Sequence, residues 1–113
     1  MIILDKETID RIKNYPKLTT QLKGLEDRLR IKHERVPKKE VDDMLNNLMQ
    51  LANLTGAMIN QPSIFMVGMK STVKKTYLGV QATLDNMVRD FNNKDLYKLE
   101  DEAYWVYIGG NNV

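Results

Sequence analysis

Six cations crowd one stretch of this chain: Arg28, Arg30, Lys32, Arg35, Lys38 and Lys39. On a helix, Arg28, Lys32 and Arg35 are four and three residues apart and share a flank, while Arg30 points elsewhere until the chain turns at Pro37. Convergent cations neutralise phosphates and gain from the release of counterions. Arg28, Lys32, Arg35, Lys38 and Lys39 are therefore the candidates for nucleic-acid contact, with Lys70, Lys74 and Lys75 able to extend the same face across subunits. No aromatic residue interleaves the basic segment, which argues against base stacking on single strands. The formal net charge is only +2, a poor signature for a nucleic-acid binder.

Catalytic chemistry finds little to work with. The chain has no cysteine, which removes disulfides, thiolate nucleophiles and cysteine-ligated metal together. His33, the single histidine, lies between Lys32 and Glu34 on the edge of an apolar stripe and has no second histidine to complete a metal site. Glu40, Asp42 and Asp43 occupy the first turn of a predicted helix, where acids offset the positive end of the dipole. Glu100, Asp101 and Glu102 read as a solvated face. A Glu-x-x-His di-metal motif and a glycine-rich phosphate loop are both missing. The expectation is no enzyme, no metal and no cofactor.

Two fragments look like parts of a helix-turn-helix. Leu51 to Gly56 is similar to a first helix with its turn glycine, and Lys70 to Lys75 to the start of a recognition helix. Pro62 then falls where a buried aliphatic is needed, and the second fragment has no turn at the right distance before it, so both read as accidents.

Apolar contact is the better-supplied chemistry. Met44, Met49, Met58, Met66, Met69 and Met87 fall in two neighbouring predicted helices, and methionine suits surfaces that adapt to partners. Met49, Leu54 and Met58 spread the apolar surface of the first of these beyond one stripe. Tyr104 and Trp105 form an aromatic pair pointing away from the last predicted stripe, as interface anchors do. Tyr104, Trp105, Met49, Leu54 and Met58 are the candidate protein interface.

The elements that must position these residues are all predicted to be helices. A short one over 5–14 opens on Asp5 as N-cap, carries Ile9 and Ile12 on one side and ends before Pro16. The next, over 17–36, carries Leu18, Leu22, Leu25, Leu29 and Val36 as a stripe, with Gly24 off it as a point of close backbone approach. A third over 38–60 shows Val41, Met44, Leu45, Leu48, Ala52 and Ile59 on one face. A long fourth over 63–92 bears Met66, Met69, Val73, Tyr77, Val80, Leu84, Met87 and Phe91 at spacings of three or four, the helical period. A last helix over 94–108 would place Leu96, Leu99, Ala103, Val106 and Tyr107 together before Gly109-Gly110 and a tail over 109–113. Hairpin signals such as Asn-Gly are absent.

Together these predict an all-α up-and-down bundle of four main helices plus a short N-terminal one, a single self-associating domain. Charge alternates by segment: residues 17–39 hold eight bases against three acids, and 40–62 hold three acids and no base. Neighbouring helices are thus expected to pair along their flanks. The N-terminus lacks a basic region before its short apolar stretch, and no apolar run approaches the ~20 residues of a membrane span. A cytoplasmic setting is expected. The function expected is a non-enzymatic protein-binding module, a small regulator or inhibitor of a larger protein of the kind common among phage accessory proteins. The alternative is a helical oligomer that binds nucleic acid through residues 28–39.

Overall fold

The computed structural model describes residues 6–60 and 70–106. In chain order the elements are α1 (Lys6–Lys13), α2 (Tyr15–Arg30), β1 (Val36–Pro37), α3 (Lys38–Asn60), α4 (Lys70–Asn92), β2 (Tyr97–Glu100) and β3 (Ala103–Val106). The protein is mostly helical, as its apolar periodicity predicts. It also carries a three-stranded sheet that the periodicity does not.

The first two helices are nearly continuous. Asn14 keeps α-region angles, its N–H donates to the Asp10 carbonyl at 2.9 Å, and its own carbonyl accepts from Leu18 at 3.1 Å. Pro16 sits in the first turn of α2, where its missing N–H costs least. Tyr15 packs on α4: an added Cβ at Gly79 would lie 3.0 Å from its hydroxyl, which is within 2.9 Å of the Thr83 hydroxyl. Only glycine leaves that gap.

The third and fourth helices span 23 residues each, about 35 Å. Gly56, late in α3, meets the Tyr77 ring early in α4, while the start of α3 and the end of α4 both reach the sheet. The two therefore run antiparallel. Val73, Val80, Met87 and Phe91 of the predicted α4 stripe are buried, and Tyr77 and Leu84 are half-buried. Val41, Met44, Leu48, Leu51 and Met58 meet them from α3, Leu22, Leu25 and Leu29 from α2, and Ile12 from α1, in one contiguous cluster. Thr55 is the polar member of the α3 face, and its hydroxyl donates to the Leu51 carbonyl at 2.8 Å. The molecule is 61 Å long and 20 Å across, with a radius of gyration of 17.0 Å, against about 13 Å for a compact chain of this length.

Several boundaries and one whole element differ from expectation. The helix expected over 17–36 stops at Arg30; the chain turns through His33 at φ 55° and Val36 enters β1, fully buried. Gly24 marks no close approach, since nothing lies within 4 Å of the Cβ it lacks. The helix expected over 94–108 is a β-hairpin: β2 and β3 pair antiparallel, with Glu100 opposite Ala103, and β1 pairs with β3 on its other side. Asp101 and Glu102 make the two-residue turn at φ 53° and 59°, the left-handed pair that matches strand twist. Tyr97, Tyr104, Trp105 and Val106 favour strand. The expected all-α fold is corrected accordingly. Residues 63–69 of the predicted fourth helix, with Met66 and Met69, and the tail over 109–113 lie outside the described residues.

Candidate functional site

The sheet closes one end of the helical body, and its two faces do different work. Alternation places Val36, Tyr97, Leu99, Tyr104 and Val106 on the inner face. Phe91, at the end of α4, stacks on Tyr97 with centroids 4.6 Å apart and meets Tyr104 edge-on at 5.0 Å. Tyr97 is 2% exposed, yet its hydroxyl is satisfied: Arg30 Nε donates to it at 2.7 Å, with the guanidinium 5.4 Å from the ring centroid. Arg30 also reaches Asp90 at 3.4 Å and Glu26 at 4.0 Å. Burial pushes the Tyr97 hydroxyl and the Glu26 carboxyl above their ordinary values, with Arg30 opposing both shifts. Burial works against the charge on Arg30, but the bond to Tyr97 and the nearby acids outweigh it and raise its pKa.

The outer face carries Trp105, with Lys98 opposite it on β2. The Arg35 guanidinium lies 5.5 Å from the Trp105 ring centroid and donates to the Glu100 carbonyl at 3.4 Å. A cleft of about 530 Å³ adjoins the hairpin, lined by Phe91, Asn92, Lys94, Tyr104, Trp105 and the whole of β2. Leu99, one of its lining residues, is 50% exposed.

The expected aromatic pair is thus divided. Trp105 lies on the outer face, half-buried, and Tyr104 packs inward on Phe91. Met49 is exposed on α3, Leu54 is half-buried against the core, and Met58 is only 2% exposed. Met58 is a core residue and is withdrawn from the interface. Met49 lies 11 residues into α3 from Lys38, about 16 Å along the helix from the sheet, so the five residues do not make one surface. The sequence points to other roles for two residues of this end: Arg35 reads as a phosphate contact and Leu99 as part of a helical face. The alternation of Tyr97-Lys98-Leu99-Glu100 was the available signal, masked by an equally good helical spacing.

The basic segment is largely engaged. Arg28 bridges Glu34 at 3.3 Å and Glu40 at 3.1 Å, joining α2 to α3. Lys38 pairs with Asp42 at 2.7 Å and Lys39 with Asp43 at 2.9 Å, one turn along α3, and each carboxylate raises its lysine's pKa. Arg35 is spent on Trp105. Of the five candidates, Arg28, Lys38 and Lys39 are in ion pairs among the described residues, and Lys32 and Arg35 are not. His33 stands exposed in the loop after α2, not on a helical stripe. Leu51 to Gly56 is continuous helix, with Gly56 seating Tyr77 where a helix-turn-helix would turn. Among the described residues, no three His, Asp or Glu side chains group as metal ligands, and no helix is long and apolar enough to cross a membrane.

Comparison with known proteins adds no relative: no family model, curated protein or solved structure matches this chain.

Proposed function

We propose that this protein is a non-enzymatic binding module, a small regulator or inhibitor that presents its sheet end to a larger protein. The observation that supports this reading is Trp105. Burying an indole on an interface is among the largest single contributions a side chain makes to binding, and here the ring stands on an outer sheet face, steadied by Arg35 at 5.5 Å. The paired state of Arg28, Lys38 and Lys39 weighs against the nucleic-acid alternative, because counterion release requires cations free to meet phosphate.

The test is affinity capture from the native cell, with identical bait concentrations of wild type, Trp105→Ala and Arg35→Gln. A partner held by wild type should be lost from Trp105→Ala and weakened by Arg35→Gln, with helicity unchanged in both. Tyr104→Ala serves as the contrast: its side chain packs inward, so it should lower the melting temperature rather than release a partner selectively. Equal capture by wild type and Trp105→Ala would overturn the reading.

A further inference from the structure

The free edge of β2 has the chemistry to pair with itself. The register opposes Lys98 to Trp105 and Glu100 to Ala103 across the hairpin. In a two-residue hairpin the pair flanking the turn exchanges hydrogen bonds, and bonded pairs then recur at every second residue. Lys98 and Glu100 therefore direct their backbone groups at β3. Leu99 directs its N–H and carbonyl the other way. Two neighbours agree with this phase: the Glu102 carbonyl turns from β2 to accept Lys38 N–H at 2.8 Å, and Tyr97 N–H turns outward to the Asn93 carbonyl at 3.0 Å. The register thus gives the Leu99 backbone no partner on β3, and among the described residues no turn, loop or cap bond involves it.

The cleft follows this edge. It is lined by Tyr97, Lys98, Leu99 and Glu100 in succession, and successive strand residues face opposite ways, so only a groove along the edge touches all four. At its centre Leu99 is 50% exposed. On either side stand Lys98 and Glu100, opposite in charge and equidistant from Leu99.

We infer that β2 is a docking edge for β2 of a second copy of this chain, antiparallel and centred on Leu99. In that register Leu99 faces the second copy's Leu99, and the two exchange both backbone hydrogen bonds that the fold leaves open. Lys98 stands opposite the second copy's Glu100, and Glu100 opposite its Lys98, giving two cross-strand ion pairs by symmetry. Centring on Lys98 or on Glu100 would instead set like charges directly across the junction, which is unfavourable. A shift by one residue would turn the outer face of one copy against the inner face of the other. The sequence Lys98-Leu99-Glu100 thus selects one register. The joined sheet would have six strands and carry both Trp105 rings on one outer face, about 16 Å apart.

Charge reversal tests the register. In sedimentation equilibrium wild type should approach twice 13.1 kDa as concentration rises. Each of Lys98→Glu and Glu100→Lys converts both symmetric pairs to repulsions and should weaken association about tenfold. The double variant Lys98→Glu/Glu100→Lys restores opposite charges and should restore association. Because the chain has no cysteine, Leu99→Cys introduces one thiol per copy. Its Cα should lie about 5.5 Å from its counterpart, within disulfide reach, so mild oxidation should give a covalent dimer, while Met49→Cys should not. Circular dichroism verifies that each variant is folded. A wild type that stays monomeric to ~1 mM, a range in which even weak association would register, would overturn the inference, as would double-variant association no better than that of the singles. A foreign peptide occupying this edge while the protein stays monomeric would also overturn it. None of these readouts involves the larger partner, so this inference and the proposed function can fail separately.

Discussion

Glu26 is the side chain whose protonation most clearly reports on the packing of the sheet end. It lies on α2 beside Arg30, which is itself committed to Tyr97 and Asp90. Burial raises its pKa above the ordinary 4.5, and the 4.0 Å contact with Arg30 only partly offsets this. The folded protein thus holds this proton more tightly than the unfolded chain does. By linkage, the Glu26 charge costs stability at neutral pH, and the cost is relieved as pH falls through the folded value toward 4.5. Other carboxylates titrate in the same range, so the measurement is a difference. Relative to Glu26→Gln, wild type should gain melting temperature between pH 7 and pH 4.5. Parallel curves for the two proteins would show that Arg30 cancels the effect of burial, and a relative loss toward acid would show that Arg30 outweighs it.

Among the elements, the helices were legible and the hairpin was not, for a reason that can be tested. The α3 boundaries, Lys38–Asn60, follow from Pro37 and from an apolar face whose period nothing contradicts. In residues 96–106, Leu96, Leu99, Ala103 and Val106 satisfy a helix while Tyr97, Leu99, Tyr104 and Val106 satisfy a strand. Tertiary packing on Phe91 decides between them. The turn gave no warning, since Asp101 and Glu102 adopt φ 53° and 59° without the Asn-Gly that normally announces such angles. A left-handed residue other than glycine costs roughly 1–2 kcal/mol. Replacing Asp101-Glu102 by Asn-Gly should therefore raise stability by about 1 kcal/mol in denaturant unfolding, and a loss would mean that the native turn side chains make contacts worth more than the strain. The same division between local and tertiary effects separates two helical glycines. Gly24→Ala meets open space and should gain about 1 kcal/mol from helix propensity. Gly56→Ala would set its Cβ 3.0 Å from the Tyr77 ring, and the overpacking should cancel or reverse that gain. Trp105 was legible as a candidate anchor from its residue type, whereas the edge beside it depended on knowing that 97–100 is a strand.

For the molecule as a whole, the distribution of charge matters more than its sum. The sequence sets a basic segment over 28–39 next to an acidic one, and folding brings them together: Arg28 reaches Glu40 across α2 and α3, and Arg30 reaches Asp90 across α2 and α4. Exposed pairs of this kind stabilise little individually, but each removes a cation from any face that a polyanion could use. A binder with several phosphate contacts loses orders of magnitude in affinity as salt rises, and is therefore tightest at low salt. The least favourable condition for a negative result is about 50 mM salt, and even there wild type is expected to show no retention on DNA or RNA. The corollary is sharper, because it depends on the pairing rather than on net charge. Converting Glu34, Glu40, Asp42 and Asp43 to glutamine or asparagine should free Arg28, Lys38 and Lys39 and create salt-sensitive retention that wild type lacks. Retention by wild type at that salt, lost on changing Arg28, Lys32, Arg35, Lys38 and Lys39 to glutamine, would reverse the order of the two functional readings and make the helical body, not the sheet end, the working surface.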